Sequence, residues 1–117
     1  MANNWPVVKP GTTYYVLAEA GGVVEINAVQ ITNTDSPYTP SNGMYVEADA
    51  TSGAITVLLS SPGDTNDRIW VKKMDSSANV VTVDGNGTTI DGMTTFPLYL
   101  QYDAVTLVRT NNEWSIE

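Results

Sequence analysis

From residue 54 onward, apolar and polar residues alternate in short runs. Ile55, Val57 and Leu59 fall on one side of an extended chain, as do Ile69 and Val71 and then Val105 and Leu107, while Thr56, Lys72 and Thr106 fall on the opposite sides. A period of two predicts half-buried strands, with these apolar sets as the core. The same pattern predicts strands over 13–18, 23–32, 44–49, 54–59, 68–74, 80–83, 96–100, 104–109 and 113–116, bounded by clusters of Gly, Pro, Asn, Asp and Ser. No segment carries a helical period. Short strands recurring about every 10 residues predict an all-β domain, an antiparallel β-sandwich or flattened barrel.

The segments between the strands refine the picture. "DSSAN", from Asp75 to Asn79, reads as a short hairpin loop, because Asp75, Ser76 and Asn79 can bond nearby backbone groups. "DGNG", from Asp84 to Gly87, reads as a tight turn with Asn86 and Gly87 suited to type I′ geometry, and Gly92 and Asn111-Asn112 mark later reversals. "YVLAEAGGVVEI" from Tyr15 and "YVEADATSGAITV" from Tyr45 open alike and predict two similar hairpins. Between them, Asn33 to Gly43 is the longest turn-rich loop; Pro37 and Pro40 disfavour a central strand there, which makes it a candidate projecting functional loop.

Composition then bounds the chemistry. A chain of 117 residues supports one core, hence one domain, divided here into an extended N-terminal segment at 1–12 and a β-domain at 13–117. Neither cysteine nor histidine occurs, which removes disulfides, thiolate chemistry and the commonest general base and metal ligand. Thirteen acids against five bases give a net charge of −8, and the bases form no run, so a nucleic-acid surface is not expected. A cationic protein surface or a divalent cation fits that field better. The opening lacks a basic n-region and an apolar h-region, and no window is apolar enough to span a bilayer, so the expectation is a chain made in the cytoplasm and used without crossing a membrane by the secretory route, with no membrane partner.

Three candidate sites are weighed on this basis. Asp84, Asn86, Thr88 and Asp91 offer clustered oxygens for calcium, yet Thr89 and Thr95 stand where an EF-hand loop needs glycine and glutamate, and a hairpin turn with side-chain to backbone bonds accounts for the same residues. Asp64 with Asp67, Asp84 with Asp91 and Glu47 with Asp49 are carboxylate pairs beside turns or on solvent-facing strand positions, as expected of any acidic fold. A serine triad would lack its base. No catalytic, cofactor or metal residues are expected, and the chain does not read as an enzyme.

The aromatic residues are more open. Trp5, Trp70, Trp114, Tyr14, Tyr38, Tyr45, Tyr99 and Tyr102 suit either a sugar-stacking platform or core and subunit contacts, with Trp114 packed under the final hairpin. Trp5 immediately precedes Pro6 in a stretch that Pro6 and Pro10 are expected to keep extended, and suits an apolar anchor for a partner's groove as well as packing on its own domain.

"ADATSGAITVLLSSPG", "IWVKKMDSSANVVTVDGNGTTIDG" and "LQYDAVTLVRTNNEWSI" together resemble a β-module of tailed-bacteriophage virion proteins, found in tail fibres and in small head-decoration (cement) proteins. The resemblance covers about 44–116. It implies a virion component, often trimeric, without enzymatic activity. With no repetitive shaft, the chain resembles a compact decoration protein on the capsid surface more than a fibre. Expectations follow: a homotrimer that binds the major capsid protein, with Trp5, Val7, Val8 and Tyr38 as capsid contacts and Trp70, Tyr99 and Tyr102 at the trimer interface. The rival expectation is a tail-fibre receptor-binding or carbohydrate-binding module.

Overall fold

The computed structural model describes residues 8–9, 12–19, 22–61 and 63–117, with side chains described from residue 27 onward. Among the described residues, ten strands build two sheets. They are β1 (Val8–Lys9), β2 (Thr12–Glu19), β3 (Gly22–Thr32), β4 (Met44–Asp49), β5 (Ile55–Leu58), β6 (Arg68–Lys73), β7 (Val81–Asp84), β8 (Thr95–Leu98), β9 (Ala104–Arg109) and β10 (Trp114–Ile116). The larger sheet has the order β1-β2-β3-β4-β6-β9-β10 and the smaller β5-β7-β8. The all-β expectation holds, and a sandwich of two sheets fits the core between them.

The expected antiparallel arrangement does not hold throughout. β3 with β4, β4 with β6 and β5 with β7 are parallel, and Tyr38 forms a parallel bridge to Val57. The reason is how the chain winds. From β3 it passes to the smaller sheet at Tyr38, returns to β4, crosses to β5, returns to β6 and crosses to β7, so each sheet receives successive strands in the same direction. β8 and β9 then run antiparallel to β7 and β6 and end the coil. The two similar segments therefore differ in structure: the first is a true antiparallel hairpin of β2 and β3, whereas the second, β4 to β5, passes between sheets. "DSSAN" is likewise a crossing from β6 to β7 and not a hairpin loop.

Register stacks like on like inside the coil, across both parallel and antiparallel pairs. Val46 pairs with Val71, which pairs with Val105, while Val57 pairs with Val83 on the facing sheet; all are buried. Ile31, Ile55, Leu59, Ile69, Val81, Ile90, Leu98, Leu107 and Trp114 complete the core. Burial of each such side chain contributes about 1.5–3 kcal/mol, so this ladder carries the fold. The apolar sets read from the alternation all face inward, and Thr56, Lys72 and Thr106 do not.

Two connections close the ends. At Gly85 to Thr88, Asn86 and Gly87 have φ of 54° and 88°, as a type I′ turn requires, and Thr88 N donates to Gly85 O at 3.0 Å. Asn86 also donates through Nδ2 to Leu59 O at 3.1 Å, tying the turn to the end of β5. On the other sheet, Trp114 is buried as expected, its backbone bonded to Thr89 and Asp91 and its ring against Gly63.

Candidate functional site

Trp5 and Val7 lie outside the described residues, and Val8 belongs to β1, which pairs with Thr12 and Thr13 so that strand structure begins before residue 13. Tyr38 is placed differently from a free contact residue. Its N–H donates to Thr56 O at 3.0 Å, its carbonyl accepts from Leu58 N at 2.8 Å, and its half-buried ring packs on the core. Burial, helped by the nearby Asp35 carboxylate, pushes its phenol above the ordinary value. The segment from Asn33 to Gly43 is thus drawn back into the smaller sheet at Tyr38 instead of projecting as a free loop.

Of the other three residues, Trp70 and Tyr102 are linked through Lys72, and Tyr99 lies in the same loop as Tyr102. Trp70 lies on the outer face of the larger sheet, in register between Tyr45 of β4 and Thr106 of β9. Two positions along the same face, Lys72 places its Nζ 5.1 Å from the centre of the Tyr102 ring, a cation–π contact. Tyr102 belongs to the loop joining β8 to β9, where Tyr99, Leu100 and Tyr102 are 62%, 70% and 58% exposed.

That loop is apolar at its surface and anchored at its base. The Asp103 carboxylate accepts from Tyr99 N at 3.2 Å and Leu100 N at 2.9 Å, and Asp103 N donates back to Leu100 O at 3.0 Å. Tyr102 N donates to Lys73 O at 2.7 Å, and Gln101 Nε2 to Met74 O at 3.2 Å. Tyr102 is held at φ 70°, a left-handed conformation that a bulky residue adopts only under such constraint. Large apolar side chains on a fixed backbone are the mark of a contact surface, because little order is lost on binding.

Beside this corner, still on the outer face, opens a cleft of about 320 Å³ lined by Gln30, Ile31, Thr32, Glu47, Asp49 and Met74. Gln30, Glu47, Lys72 and Ala104 form one row across β3, β4, β6 and β9, so the cleft and the Lys72–Tyr102 pair are adjacent strand positions. Sequence reading treated Glu47 and Asp49 only as a solvated pair. It missed the cleft because the parallel neighbours that bring Gln30 and Lys72 to either side of Glu47 are not visible in local alternation.

The Asp84 to Gly92 segment spends its oxygens on backbone. Asp84 accepts from Asn86 N at 2.8 Å, and the Asp91 carboxylate lies 3.4 Å from Ile116 N. Glu113 accepts from Thr89 Oγ1 at 2.7 Å and Gly92 N at 2.9 Å, and these bonds lower its pKa. Among the described residues no cluster of acidic groups is placed to hold a metal ion. No family model matches the chain, and no curated protein matches it.

Proposed function

We propose that the chain is a non-enzymatic structural protein of a tailed-phage virion, a decoration protein that binds the capsid exterior as a homotrimer. Its work is burial and bridging: each copy covers apolar surface of its neighbours, and threefold repetition multiplies individually weak contacts with the major capsid protein. The observation that carries this reading is the exposed but anchored corner of Tyr99, Leu100 and Tyr102, with Trp70 on the same side of the molecule. Three large apolar groups within four residues suit burial against a second copy better than permanent hydration. Trp5, Val7 and Val8 are left for the capsid, and the resemblance over 44–116 supports the phage setting.

Light scattering after size exclusion tests it. The 12.6 kDa chain is expected to run as a trimer, and Leu100→Ser as a smaller species. A wild-type monomer at high concentration defeats the trimeric reading.

The polar cleft favours a second reading, a receptor-binding module at a fibre tip, in which the same corner meets a host surface instead of another copy.

A further inference from the structure

We infer that the hairpin of β2 and β3 is a docking arm whose occupant is a second copy of this chain, seated on that copy's corner of Tyr99, Leu100 and Tyr102; this rests on the trimeric reading. The hairpin outruns the sheet that carries it. β2 and β3 pair from Thr12 with Val29 to Glu19 with Gly22, but β4 begins at Met44 opposite Asn27, and β1 covers only Thr12 and Thr13. Among the described residues, the rows from Tyr15 with Ile26 to Glu19 with Gly22 therefore have no strand on either side, and they extend about 17 Å at roughly 3.4 Å per residue. A two-stranded ribbon is marginal in water by itself. This one is also rich in apolar residues: register and a period of two put Tyr15, Leu17, Val24 and Ile26 on one face, and Val16, Ala18 and Val23 with Glu25 on the other. Such a ribbon gains burial from a partner surface.

Symmetry selects the occupant. A threefold ring closes through a heterologous contact, in which one patch of each copy meets a different patch of the next, whereas a patch that meets itself closes a dimer. The corner is one patch, and the arm supplies the other. Charge agrees with that pairing. No Lys or Arg occurs from residue 10 to residue 67, so the arm carries Glu19 and Glu25 and no cation of its own. Among the described side chains Arg68 pairs with Glu117, Lys73 pairs with Asp75 and Arg109 is buried, which leaves Lys72 as the cation of the corner, its ammonium 5.1 Å from the centre of the Tyr102 ring. An ammonium on a ring face keeps donors for a carboxylate. Apolar area with a positive charge thus meets apolar area with negative charges.

Sedimentation velocity at high concentration tests this on the full chain, on an arm variant carrying Leu17→Ser and Val24→Ser, and on the corner variant Leu100→Ser. The wild type is expected as a trimer and each variant alone as a monomer of 12.6 kDa. An equimolar mixture of the two variants is expected to give a species of twice the monomer mass, because the intact arm of the corner variant meets the intact corner of the arm variant and the chain of contacts stops there. A misfolded variant does not produce that species. The inference is overturned if either variant remains trimeric, or if the mixture stays monomeric while the wild type is a trimer; each of these results leaves the trimer standing on another contact. A wild-type monomer removes the trimeric reading, and the docking arm with it.

Discussion

Lys73 Nζ lies 2.8 Å from Asp75 Oδ2, and the two side chains form an ion pair almost wholly inside the protein. Asp75 does more than neutralise the lysine. Its Oδ1 accepts from Ala50 N at 2.7 Å and its Oδ2 from Ser77 N at 3.0 Å, with the Ser77 hydroxyl as a further partner. One carboxylate thereby fixes the crossing after β4 and the crossing after β6, at the place where the backbone of Lys73 also holds the loop of Tyr102.

The two partners are not equivalent. Asp75→Ala strands a buried ammonium and two backbone donors, and is expected to cost about 3–5 kcal/mol in urea unfolding. Lys73→Met leaves the carboxylate its backbone donors and is expected to cost less, about 1–3 kcal/mol. Equal losses would show that the backbone bonds contribute nothing.

Acid should act through the same carboxylate. Burial alone would raise its pKa, but the bonds from Lys73, Ser77 and Ala50 outweigh burial and hold it well below the ordinary 3.8. A depressed folded pKa means that the stabilisation is complete above the unfolded value and is lost as pH falls from there toward the folded one. Unfolding midpoints measured from pH 6 downward, roughly, are expected to hold until about pH 4 and then drop, with a shallower drop in Asp75→Asn.

Two glycines of one turn separate steric from conformational need. A Cβ on Gly85 would sit 1.7 Å from Thr88 O, so Gly85→Ala forces the backbone to move. A cost of about 3 kcal/mol is expected. Gly87 has open space but a φ of 88°, and Gly87→Ala is expected to cost about 1 kcal/mol. Thermal denaturation of the pair checks the order.

At position 102 the backbone itself is the liability. With φ at 70°, Tyr102→Gly should be more stable than Tyr102→Ala by about 1 kcal/mol, although both lose the Lys72 contact. Equal stabilities would mean that the loop relaxes once the ring is gone.

Leu100→Ser changes a side chain that is 70% exposed and is expected to alter stability by less than about 0.5 kcal/mol. The light-scattering result for this variant therefore reports association and not folding.

Alternation made the inward faces of β5, β6 and β9 legible, down to Val57, Val71 and Leu107, and Asn86-Gly87 announced its turn. Period two says which side of a strand a residue takes, but not which strand lies next to it. Asp49 to Ala54 and "DSSAN" have the residues of a hairpin turn, and the same residues serve a crossing between sheets, so the parallel pairs went unread. Lys73 was in principle legible, since it shares its face with Ile69 and Val71. A charge at a core position signals a partner within reach, and Asp75 is two residues away. The exposed corner was half legible: Tyr99 and Tyr102 were singled out as contact residues, but only the fold puts Lys72 against the Tyr102 ring.

The winding of β4 to β7 has a consequence for how such a chain can change in length. A closed barrel fixes its strand number, because every strand must meet its neighbours around a ring. Here the rows of valines stack one above another, Val46 beneath Val71 and Val57 beneath Val83, and closure is left to β8, β9 and β10. Duplicating residues 44–67 would insert another storey between the existing rows while leaving the terminal strands their own partners. The architecture is extensible by whole turns, and two homologous lengths of it would differ by a complete circuit of the two sheets, never by a single strand.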